Sequence, residues 1–555
     1  MDSSSQVLTI SQAMQQAMQY HNAGNLQPAE SIYRQVLQAE PNHYEALHLL
    51  GVIAAQVENY EVAASLIEKA IQIKNSVPNF YNSLGNVYWY QGKLDEAADT
   101  FQHALTLQPN NAKVYSNLGN VYRDQGKLDE AVDCYQHSLS LDSEFAEAHN
   151  NLGNALRDLD KITEAIECYQ RALALNSDYV DAHNNLGIAL GMQDKLDESM
   201  ACSQRALALN PNYAEAYNNI ANILADKNDL DAATENYQQA LRLQPNLADA
   251  HFGYSAILLK TGDLAAGWRE YEWRLSRRQK TGPFQLLKQP QWDGSNLNGR
   301  RLLVHWEQGL GDTIHFGRYL SLIKGGTVIF ACQPALAHLF DGVSGVDTLV
   351  ITPPDTTPEI AYDVWIPLLS LPNIFATTLD NIPALPYIYP DTKKVKIWQA
   401  RFQTTNFKIG IVWAGNPKYP DDSKRSCPLS HFAPLAKLPN TTIFSLQKDE
   451  AAKQPVPEGM EIISLTEDLE DFTDTAAAIA NLDLVISVDT AVAHLAGAMG
   501  KPVWTLLPFV ADWRWLLNRN DTPWYPTMRL FWQPRPGAWG EVFEQVVNEL
   551  STLKV

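Results

Sequence analysis

Cysteine is scarce in this sequence, with five among 555 residues. No two of them have the Cys-x2-Cys spacing that is typical of zinc-binding loops, so we expect no metal site. Cys134, Cys168 and Cys202 lie 34 residues apart. This spacing predicts that they occupy one position of an internal repeat, in packed helices, and are not a redox or metal cluster.

Basic charge and long apolar runs are also in short supply. Lys and Arg number 42 against 63 Asp and Glu, for a formal net charge of −21. This balance argues against general binding to nucleic acid or to an anionic membrane. No apolar run approaches 18 residues, and Met1–Ser5 lacks the features of a signal peptide. We therefore expect a soluble, cytoplasmic protein of two to four domains, without nucleic-acid partners and without stable membrane insertion.

A 34-residue period dominates the first half of the chain. A glycine that follows a leucine recurs at Gly51, Gly85, Gly119, Gly153 and Gly187. Later in each unit an alanine and then an aromatic residue recur, at Ala97, Ala131, Ala165 and Ala233 and at Phe101, Tyr135, Tyr169 and Tyr237. The pattern resembles the tetratricopeptide repeat (TPR), in which each unit is a pair of antiparallel helices. The resemblance implies an all-α superhelical solenoid over residues 1–279, with about seven units from Ile10 to Leu247, a degenerate eighth unit around Ala248–Arg278, and a long concave binding surface.

Asparagines follow the same period on the first helix of each unit. One position holds Asn117, Asn151, Asn185 and Asn219; the preceding position holds Asn82, Asn150, Asn184 and Asn218; the third, three residues after the first, holds Asn86, Asn120, Asn154 and Asn222. At about 100° per residue, these positions share roughly a third of the helix circumference. A side-chain amide can pair with both groups of a peptide bond.

This arrangement resembles the asparagine ladder of the O-GlcNAc transferases, which holds the backbone of substrate proteins. It predicts that a protein or peptide binds in the groove of the repeats. The alternative is that the amides bond from repeat to repeat and only stiffen the solenoid.

The second half has a different pattern. Residues 280–299 are rich in proline and glycine and read as a linker. Short apolar runs then alternate with helical segments, which predicts parallel α/β sheets. The predicted strands are Leu302–Trp306, Thr327–Ala331, Val364–Pro367, Lys408–Val412, Thr442–Leu446, Glu461–Leu465, Leu484–Val488 and Val503–Leu507. A break near Lys393–Asn406 suggests two sheets facing one another, in residues 300–400 and 401–555.

Ligands of open α/β sheets bind beyond the carboxyl ends of the strands, so the segments that follow predicted strands are candidate sites. The first, Glu307–His315, contains Gly311 and Asp312 and does not match the Gly-x-Gly-x-x-Gly pattern, which disfavours a dinucleotide oxidoreductase. Asp312 is either a functional carboxylate or a cap of the following helix.

The second candidate segment follows Lys408–Val412. A turn with Gly415 and Asn416 is succeeded by Lys424, Arg425 and Ser426. Backbone N–H groups, cations and a hydroxyl suit phosphate oxygens. The alternative is a solvated surface loop.

The third candidate segment is the most specific. Asp489 and Thr490 end one predicted strand and open a helix, and His494 lies one turn further on the same helical face. A hydroxyl and N-terminal amides there would face an anion, with the imidazole beside them.

Together, Gly-Asp-x-Ile-His at residues 311–315 and Val-Asp-Thr-x3-His-Leu-Ala-Gly-Ala-x-Gly-Lys-Pro at residues 488–502 resemble the ADP-heptose:lipopolysaccharide heptosyltransferase family. The resemblance covers Arg300–Val555. It implies a GT-B fold of two Rossmann-like lobes and an inverting, metal-independent transfer, with a nucleoside-diphosphate sugar as co-substrate and no other cofactor. Asp312 falls on the family's proposed catalytic base, with His315 and Glu307 in reserve. Asp489, Thr490 and His494 fall on the donor-binding turn, and Lys424 or Arg425 near the lysine that contacts the diphosphate.

The predicted fold class is therefore α + α/β, a TPR solenoid followed by a GT-B transferase, a layout similar to TPR-fused glycosyltransferases. The expected function is sugar transfer to a protein bound by the repeats. Two alternatives stay open: a TPR scaffold with an inactive transferase-like module, and a transferase that acts on a glycan or lipopolysaccharide. The aromatic segments Asp512–Trp515 and Trp524–Tyr525 suit core packing and sugar stacking equally.

Overall fold

The computed structural model describes residues 9–277, 283–354, 356–419 and 422–552. The chain divides into two compact units, Met1–Ile223 and Leu224–Val555. Within the described residues, no helix is both long enough and apolar enough to cross a bilayer.

From residue 9 onward, where the structure describes it, the first unit consists of helices and their connecting turns, and so does the beginning of the second unit. In chain order they are α1 (Ile10–Asn22), α2 (Leu26–Ala39), α3 (Tyr44–Gln56), α4 (Tyr60–Ile73), α5 (Pro78–Tyr90), α6 (Leu94–Leu107), α7 (Ala112–Asp124), α8 (Leu128–Leu141), α9 (Ala146–Asp158), α10 (Ile162–Leu175), α11 (Val180–Met192), α12 (Leu196–Leu209), α13 (Ala214–Asp226), α14 (Leu230–Leu243), α15 (Ala248–Thr261), α16 (Leu264–Tyr271) and α17 (Arg274–Arg277). They form helix pairs on the 34-residue period, and the division between the two units falls within α13.

The period has two physical origins. The turn inside each pair requires one residue of positive φ, and that residue is Gly24, Glu58, Gly92, Gly126, Asp160, Asp194, Asn228 or Gly262. The second origin is close helix packing. A Cβ added at Gly119 would lie 2.7 Å from the ring of Tyr135, and one at Gly153 would lie 2.6 Å from the ring of Tyr169. Both rings are fully buried, so glycine at these two positions lets the two helices of each of these repeats approach this closely.

The predicted linker packs against the next domain where the structure describes it. Trp292 and Leu297 are buried, and the N–H of Trp292 donates to the carbonyl of Trp365 at 2.7 Å. Residues 280–282 of the predicted linker lie outside the described residues.

A first parallel sheet follows. Its strands are β1 (Arg301–His305), β2 (Thr327–Cys332), β3 (Thr348–Ile351) and β4 (Val364–Pro367), in the order β3-β2-β1-β4, with helices α18 (Leu310–Phe316), α19 (Ala337–Phe340) and α20 (Leu371–Ile374).

The second sheet is also parallel. It contains β5 (Phe407–Val412), β6 (Thr441–Ser445), β7 (Ile462–Ser464), β8 (Leu484–Val488), β9 (Val503–Leu507) and β10 (Met528–Trp532), in the order β10-β9-β8-β5-β6-β7. Its helices are α21 (Thr392–Trp398), α22 (Asp422–Arg425), α23 (Phe472–Ala480), α24 (Ala491–Ala498) and α25 (Trp539–Thr552). Although α21 precedes residue 401, it packs against α23, because the indole N–H of Trp398 and the ammonium of Lys394 donate to Asp474.

The strand order of the second sheet is that of the doubly wound nucleotide-binding folds, and the first sheet has the first four strands of the same order. In each sheet the order reverses at one place, between β1 and β4 and between β5 and β8. The crevice at such a place is where ligands bind in these folds. All three candidate segments follow β1, β5 or β8 and therefore lie there. The predicted fold class, helical repeats followed by parallel α/β sheets, is confirmed.

Candidate functional site at the carboxyl ends of the two sheets

Asp312 lies in the first turn of α18, directly beyond β1. Its Oδ2 accepts the N–H of Gly309 at 2.8 Å. Asp312 therefore caps the start of α18, which is the alternative role given for it above. Its Oδ1 forms an ion pair with Arg514. Burial raises the pKa of Asp312 above its usual value, although the Arg514 charge opposes the shift. A carboxyl group with a raised pKa is a better proton acceptor once ionised.

Arg514 joins the two lobes, and the sequence patterns did not identify it. It lies in a short 3-10 turn, Trp513–Trp515, beyond β9. Its Nη1 donates to Oδ1 of Asp512 at 2.8 Å, while Nη2 reaches Asp312 on the other lobe. The side chain is 9% exposed. The only local signal was an Asp-x-Arg sequence that follows a strand, which does not reveal a partner 202 residues away.

Asp489 occupies the turn between β8 and α24. Its Oδ2 accepts the indole N–H of Trp515 at 2.8 Å, and its Oδ1 lies 3.7 Å from Nε2 of His494. Burial, reinforced by the charge of Asp512, raises the pKa of Asp489 to about 6. The carboxylate is thus close to its protonation midpoint near neutral pH.

Thr490 is the N-cap residue of α24, yet its side chain does not cap the helix. Its hydroxyl lies 2.9 Å from Oγ of Ser487 instead. The first backbone N–H groups of an α-helix have no intrahelical acceptor. Because the side chain of Thr490 does not accept from them, the N–H groups at the start of α24 can donate to an anion.

Two histidines that the sequence singled out meet at one tyrosine hydroxyl. Nδ1 of His315 and Nδ1 of His494 each lie 3.0 Å from the hydroxyl of Tyr525. Gly311 makes the approach possible, because a Cβ there would lie 3.0 Å from Cδ2 of His494. Burial lowers the pKa of both imidazoles well below the usual value, and nearby guanidinium groups act in the same direction. Both histidines are therefore neutral, and His315, with no exposed surface, lies inside the junction of the lobes.

The loop after β5 is organised by Asp422. The N–H of Gly415 donates to Oγ of Ser426 at 2.9 Å, and that hydroxyl donates to Asp422 at 2.9 Å. Nε of Arg425 donates to the other carboxylate oxygen of Asp422 at 3.0 Å. The loop is thus built around an internal carboxylate rather than being a loose surface segment.

The remaining members of this segment differ in position. Oδ1 of Asn416 accepts the N–H of Lys418 at 3.0 Å, which makes Asn416 part of the turn. The side chain of Lys424 is exposed, while Arg425 is half-buried. The charge of Arg425 acts on Asp489 and on His494. Arg425 is therefore a cation of this segment that interacts with the third candidate segment, residues 488–502.

Glu307, the reserve candidate for a base, is fully committed to a structural contact. Both of its carboxylate oxygens accept from Nε of Arg274 in α17, at 3.0 and 3.2 Å, and one accepts from Nη2 at 2.9 Å. The pair is buried. It attaches the end of the helical repeats to the end of β1.

The aromatic segments of the second lobe are buried. Trp513, Trp515, Trp524 and Tyr525 are each at most 6% exposed. Trp513 packs edge-on against Trp268 of α16, with ring centroids 5.2 Å apart. These contacts favour core packing over sugar stacking.

The asparagines bond from repeat to repeat. Nδ2 of Asn117 donates to Asn82, that of Asn185 to Asn150 and that of Asn219 to Asn184, at 3.0, 3.0 and 2.6 Å. Asn120 and Asn154 accept the hydroxyls of Tyr135 and Tyr169, at 2.7 and 2.9 Å. Asn117, Asn120, Asn151 and Asn219 are buried, Asn86, Asn154 and Asn185 are half-buried, and Asn222 is exposed. The ladder exists, and these bonds support its stiffening role; peptide binding stays a prediction.

The three cysteines of the repeats lie in packed helices. Cys134, Cys168 and Cys202 are free, half-buried and packed among the apolar side chains of their repeats. Among the residues that the structure describes, no group of three or more His, Cys, Asp and Glu side chains could hold a metal ion.

Comparisons with known proteins divide along the chain. Models of the TPR repeat match residues 90–122, 119–160, 153–194 and 221–262, and tetratricopeptide repeat models match residues 15–78 and 202–235. The model of glycosyltransferase family 9 (heptosyltransferase) matches residues 439–508, which contain β6 to β9 and the third candidate segment. The chain thus carries tetratricopeptide repeats in its N-terminal region and a glycosyltransferase family 9 segment in its C-terminal region.

Individual similar proteins cover parts of the chain. Protein FlbA of Caulobacter vibrioides is 27% identical over 288 residues, which are 47% of this chain and 48% of FlbA, so the chain spans about half the length of this curated relative. A crystal structure of MamA is 28% identical, with a TM-score of 0.27, and covers 31% of this chain and 93% of MamA. YrrB, described as a TPR protein with an unusual peptide-binding site, is 27% identical, with a TM-score of 0.28, and covers 34% of this chain and 96% of YrrB.

Proposed function

We propose that this protein is an inverting, metal-independent glycosyltransferase that moves a sugar from a nucleoside-diphosphate sugar to a protein acceptor held by the repeats. The observation that carries the proposal is the meeting of Asp312, from one lobe, with Arg514 and the Asp489 turn, from the other. A base on one side and a cationic, amide-rich surface on the other are what transfer from a nucleoside diphosphate requires.

The leaving group is stabilised on the second lobe. As the bond between the anomeric carbon and the diphosphate oxygen breaks, negative charge builds on the diphosphate. The amides at the start of α24 and the guanidinium groups of Arg425 and Arg514 are donors and cations for that charge. Lys424, Ser426, Gly415 and Asn416 line the neighbouring loop and contribute the edge of the same surface.

The acceptor is activated on the first lobe. Asp312 takes the proton of the acceptor hydroxyl. At the same time the oxygen of that hydroxyl forms the new bond to the anomeric carbon, on the face opposite the leaving group. That geometry inverts the configuration. His315 and His494, both neutral and bonded to Tyr525, fix the distance between the lobes and take no part in proton transfer.

The test combines binding with turnover. Purified protein is heated with ADP, UDP, GDP and their sugar conjugates, and one nucleotide is expected to raise the unfolding temperature of the wild type by a few degrees. Asp489→Ala removes the shift. Asp312→Asn keeps the shift in unfolding temperature but lowers kcat by about 10²–10⁴-fold, with turnover measured as the nucleoside diphosphate formed. Turnover that persists in Asp312→Asn contradicts the assignment of the base.

A matched control exists in the same lobe. Asp363 forms an exposed ion pair with Arg301 at the opposite, amino end of β1. Asp363→Asn removes the same charge from the same sheet and is expected to leave kcat unchanged.

A scaffold without turnover is the second candidate. The ion pair between Asp312 and Arg514 favours it, because a paired carboxylate is a weaker base. Wild-type protein that binds no nucleotide and transfers no sugar establishes this alternative.

A further inference from the structure

The guanidinium of Arg514 has more binding capacity than its two partners use. Nη1 is taken by Asp512 and Nη2 by Asp312, but Nε is buried and has no hydrogen-bond partner among the described residues. A buried donor without a partner costs about 1–3 kcal/mol. The group is therefore incompletely satisfied in the ligand-free protein.

The same ion pair occupies the carboxylate that the proposed reaction needs. One oxygen of Asp312 accepts the N–H of Gly309 and the other accepts from Arg514. An opposite charge in contact stabilises the ionised form and weakens it as a base. Proton abstraction by Asp312 is therefore favoured only after Arg514 has moved away from it.

A diphosphate is the chemical group that fits the new position of Arg514. Trp515, the neighbour of Arg514, donates its indole N–H to Asp489 at 2.8 Å, which places Arg514 near the start of α24. The charge of Arg514 accordingly acts on both Asp489 and His494. Phosphate oxygens attract a guanidinium more strongly than a single carboxylate does, because they carry more charge and allow bidentate contacts.

Asp512 keeps a cation nearby when Arg514 moves. Lys260 of α15 is 7% exposed, and its charge interacts with that of Asp512. The last helical repeat therefore supplies a second positive charge at this place. Movement of Arg514 does not leave Asp512 isolated.

We propose that Arg514 is an exchangeable counter-ion, which pairs with Asp312 in the absence of donor and with the donor's diphosphate when the donor binds. This inference rests on the proposed function and adds regulation to it. Donor binding itself releases the base, so Asp312 becomes active only when a sugar is present to receive the acceptor oxygen. Coupling of this kind is reciprocal, so loss of the ion pair must strengthen diphosphate binding.

The test is a double-mutant cycle on nucleotide affinity, measured by calorimetry on the full chain with ADP, UDP and GDP. Asp312→Asn is expected to tighten binding of the preferred diphosphate by about tenfold, the middle of the range for such coupling. Arg514→Gln is expected to weaken binding. In the double variant the Asp312→Asn change no longer tightens binding, which separates exchange of Arg514 from the general effect of one fewer negative charge.

Two variants complete the design. Arg514→Lys keeps the charge and replaces Arg514→Gln in the cycle if that variant does not fold. It is expected to bind diphosphate more weakly than the wild type, because a lysine cannot make the bidentate contacts of a guanidinium. Asp363→Asn, away from the site, is expected to leave affinity unchanged. Unchanged affinity in Asp312→Asn, or tightening that persists without Arg514, overturns this inference alone. Failure of all three diphosphates to bind the wild type overturns the proposed function and this inference with it.

Discussion

At the residue scale, one missing methyl group sets how closely the helices α7 and α8 approach each other. Gly119→Ala places a Cβ 2.7 Å from the ring of Tyr135, whose hydroxyl is fixed by Asn120. The ring cannot move without breaking that bond, so we expect a loss of about 1–3 kcal/mol in the free energy of unfolding of the first unit, as for other overpacked cores. Urea unfolding followed by circular dichroism measures it.

Gly191 is the matched control, because it also lies in the first helix of a repeat. A Cβ there meets only Oγ of Ser199, at the ordinary distance of 3.4 Å. Alanine is a better helix former than glycine by about 1 kcal/mol, so Gly191→Ala is expected to be neutral or stabilising. Equal losses in the two variants contradict the packing explanation.

The stability of the second unit is expected to depend on the protonation of Asp489. The folded-state pKa of this carboxyl, about 6, is above its unfolded value near 4. The group therefore stabilises the fold below pH 4, and this contribution is lost as the pH rises through 6. Asp489→Asn keeps an oxygen for the indole N–H of Trp515 and removes the buried charge. We expect it to raise the free energy of unfolding at pH 8 by roughly 2–3 kcal/mol.

The measurement compares thermal unfolding of wild type and Asp489→Asn at several pH values. The variant is expected to melt several degrees higher at pH 8, and the difference is expected to vanish near pH 4. A constant difference at all pH values contradicts the raised pKa. The same variant is expected to lose nucleotide binding, so stability and function change in opposite directions.

At the element scale, α17 is attached to the end of β1 by a buried ion pair. Arg274→Met removes the guanidinium that pairs with the buried carboxylate of Glu307, and breaking a buried pair of this kind costs about 3–5 kcal/mol. We expect a lower unfolding temperature of the second unit in Arg274→Met and a partial recovery in Arg274→Met with Glu307→Gln. Additive losses in the double variant contradict a direct interaction of the two side chains.

The elements that the sequence revealed are those whose own residues carry the pattern. Eight strands were predicted from β-branched runs, and each has its counterpart among β1, β2 and β4 to β9. The strands β3 and β10 were not among those predicted. β10 contains no β-branched residue, whereas β3 (Thr-Leu-Val-Ile) does contain them and was overlooked. Both lie at sheet edges and owe their conformation to pairing with β2 and β9.

The candidate site shows the same limit. Asp312, Asp489 and His494 follow predicted strands or lie on a recognisable turn, so sequence alone placed them near a crevice. Arg514 and Tyr525 acquire their roles only from partners on the other lobe. No local pattern encodes such a contact.

At the scale of the whole molecule, the last repeat belongs physically to the half of the chain that contains the two sheets. Leu259, Trp268 and Tyr271 lie in one apolar core with strands of both sheets. Since the ion pair of Arg274 and the charge of Lys260 point to the same half, the helices from α15 to α17 are part of its fold. A cut at the predicted linker, between the repeats and the two sheets, would therefore remove core residues.

Two truncations test this and identify the acceptor. A chain that begins at Asp229, the N-cap of α14, retains the last repeat and is expected to fold and to bind nucleotide. One that begins at residue 283 is expected to be insoluble or to melt without a cooperative transition. If the acceptor is a protein held by the repeats, the first truncation loses transfer to protein but still hydrolyses or binds the donor. Full transfer activity in that truncation instead identifies a glycan acceptor and assigns the first unit to assembly.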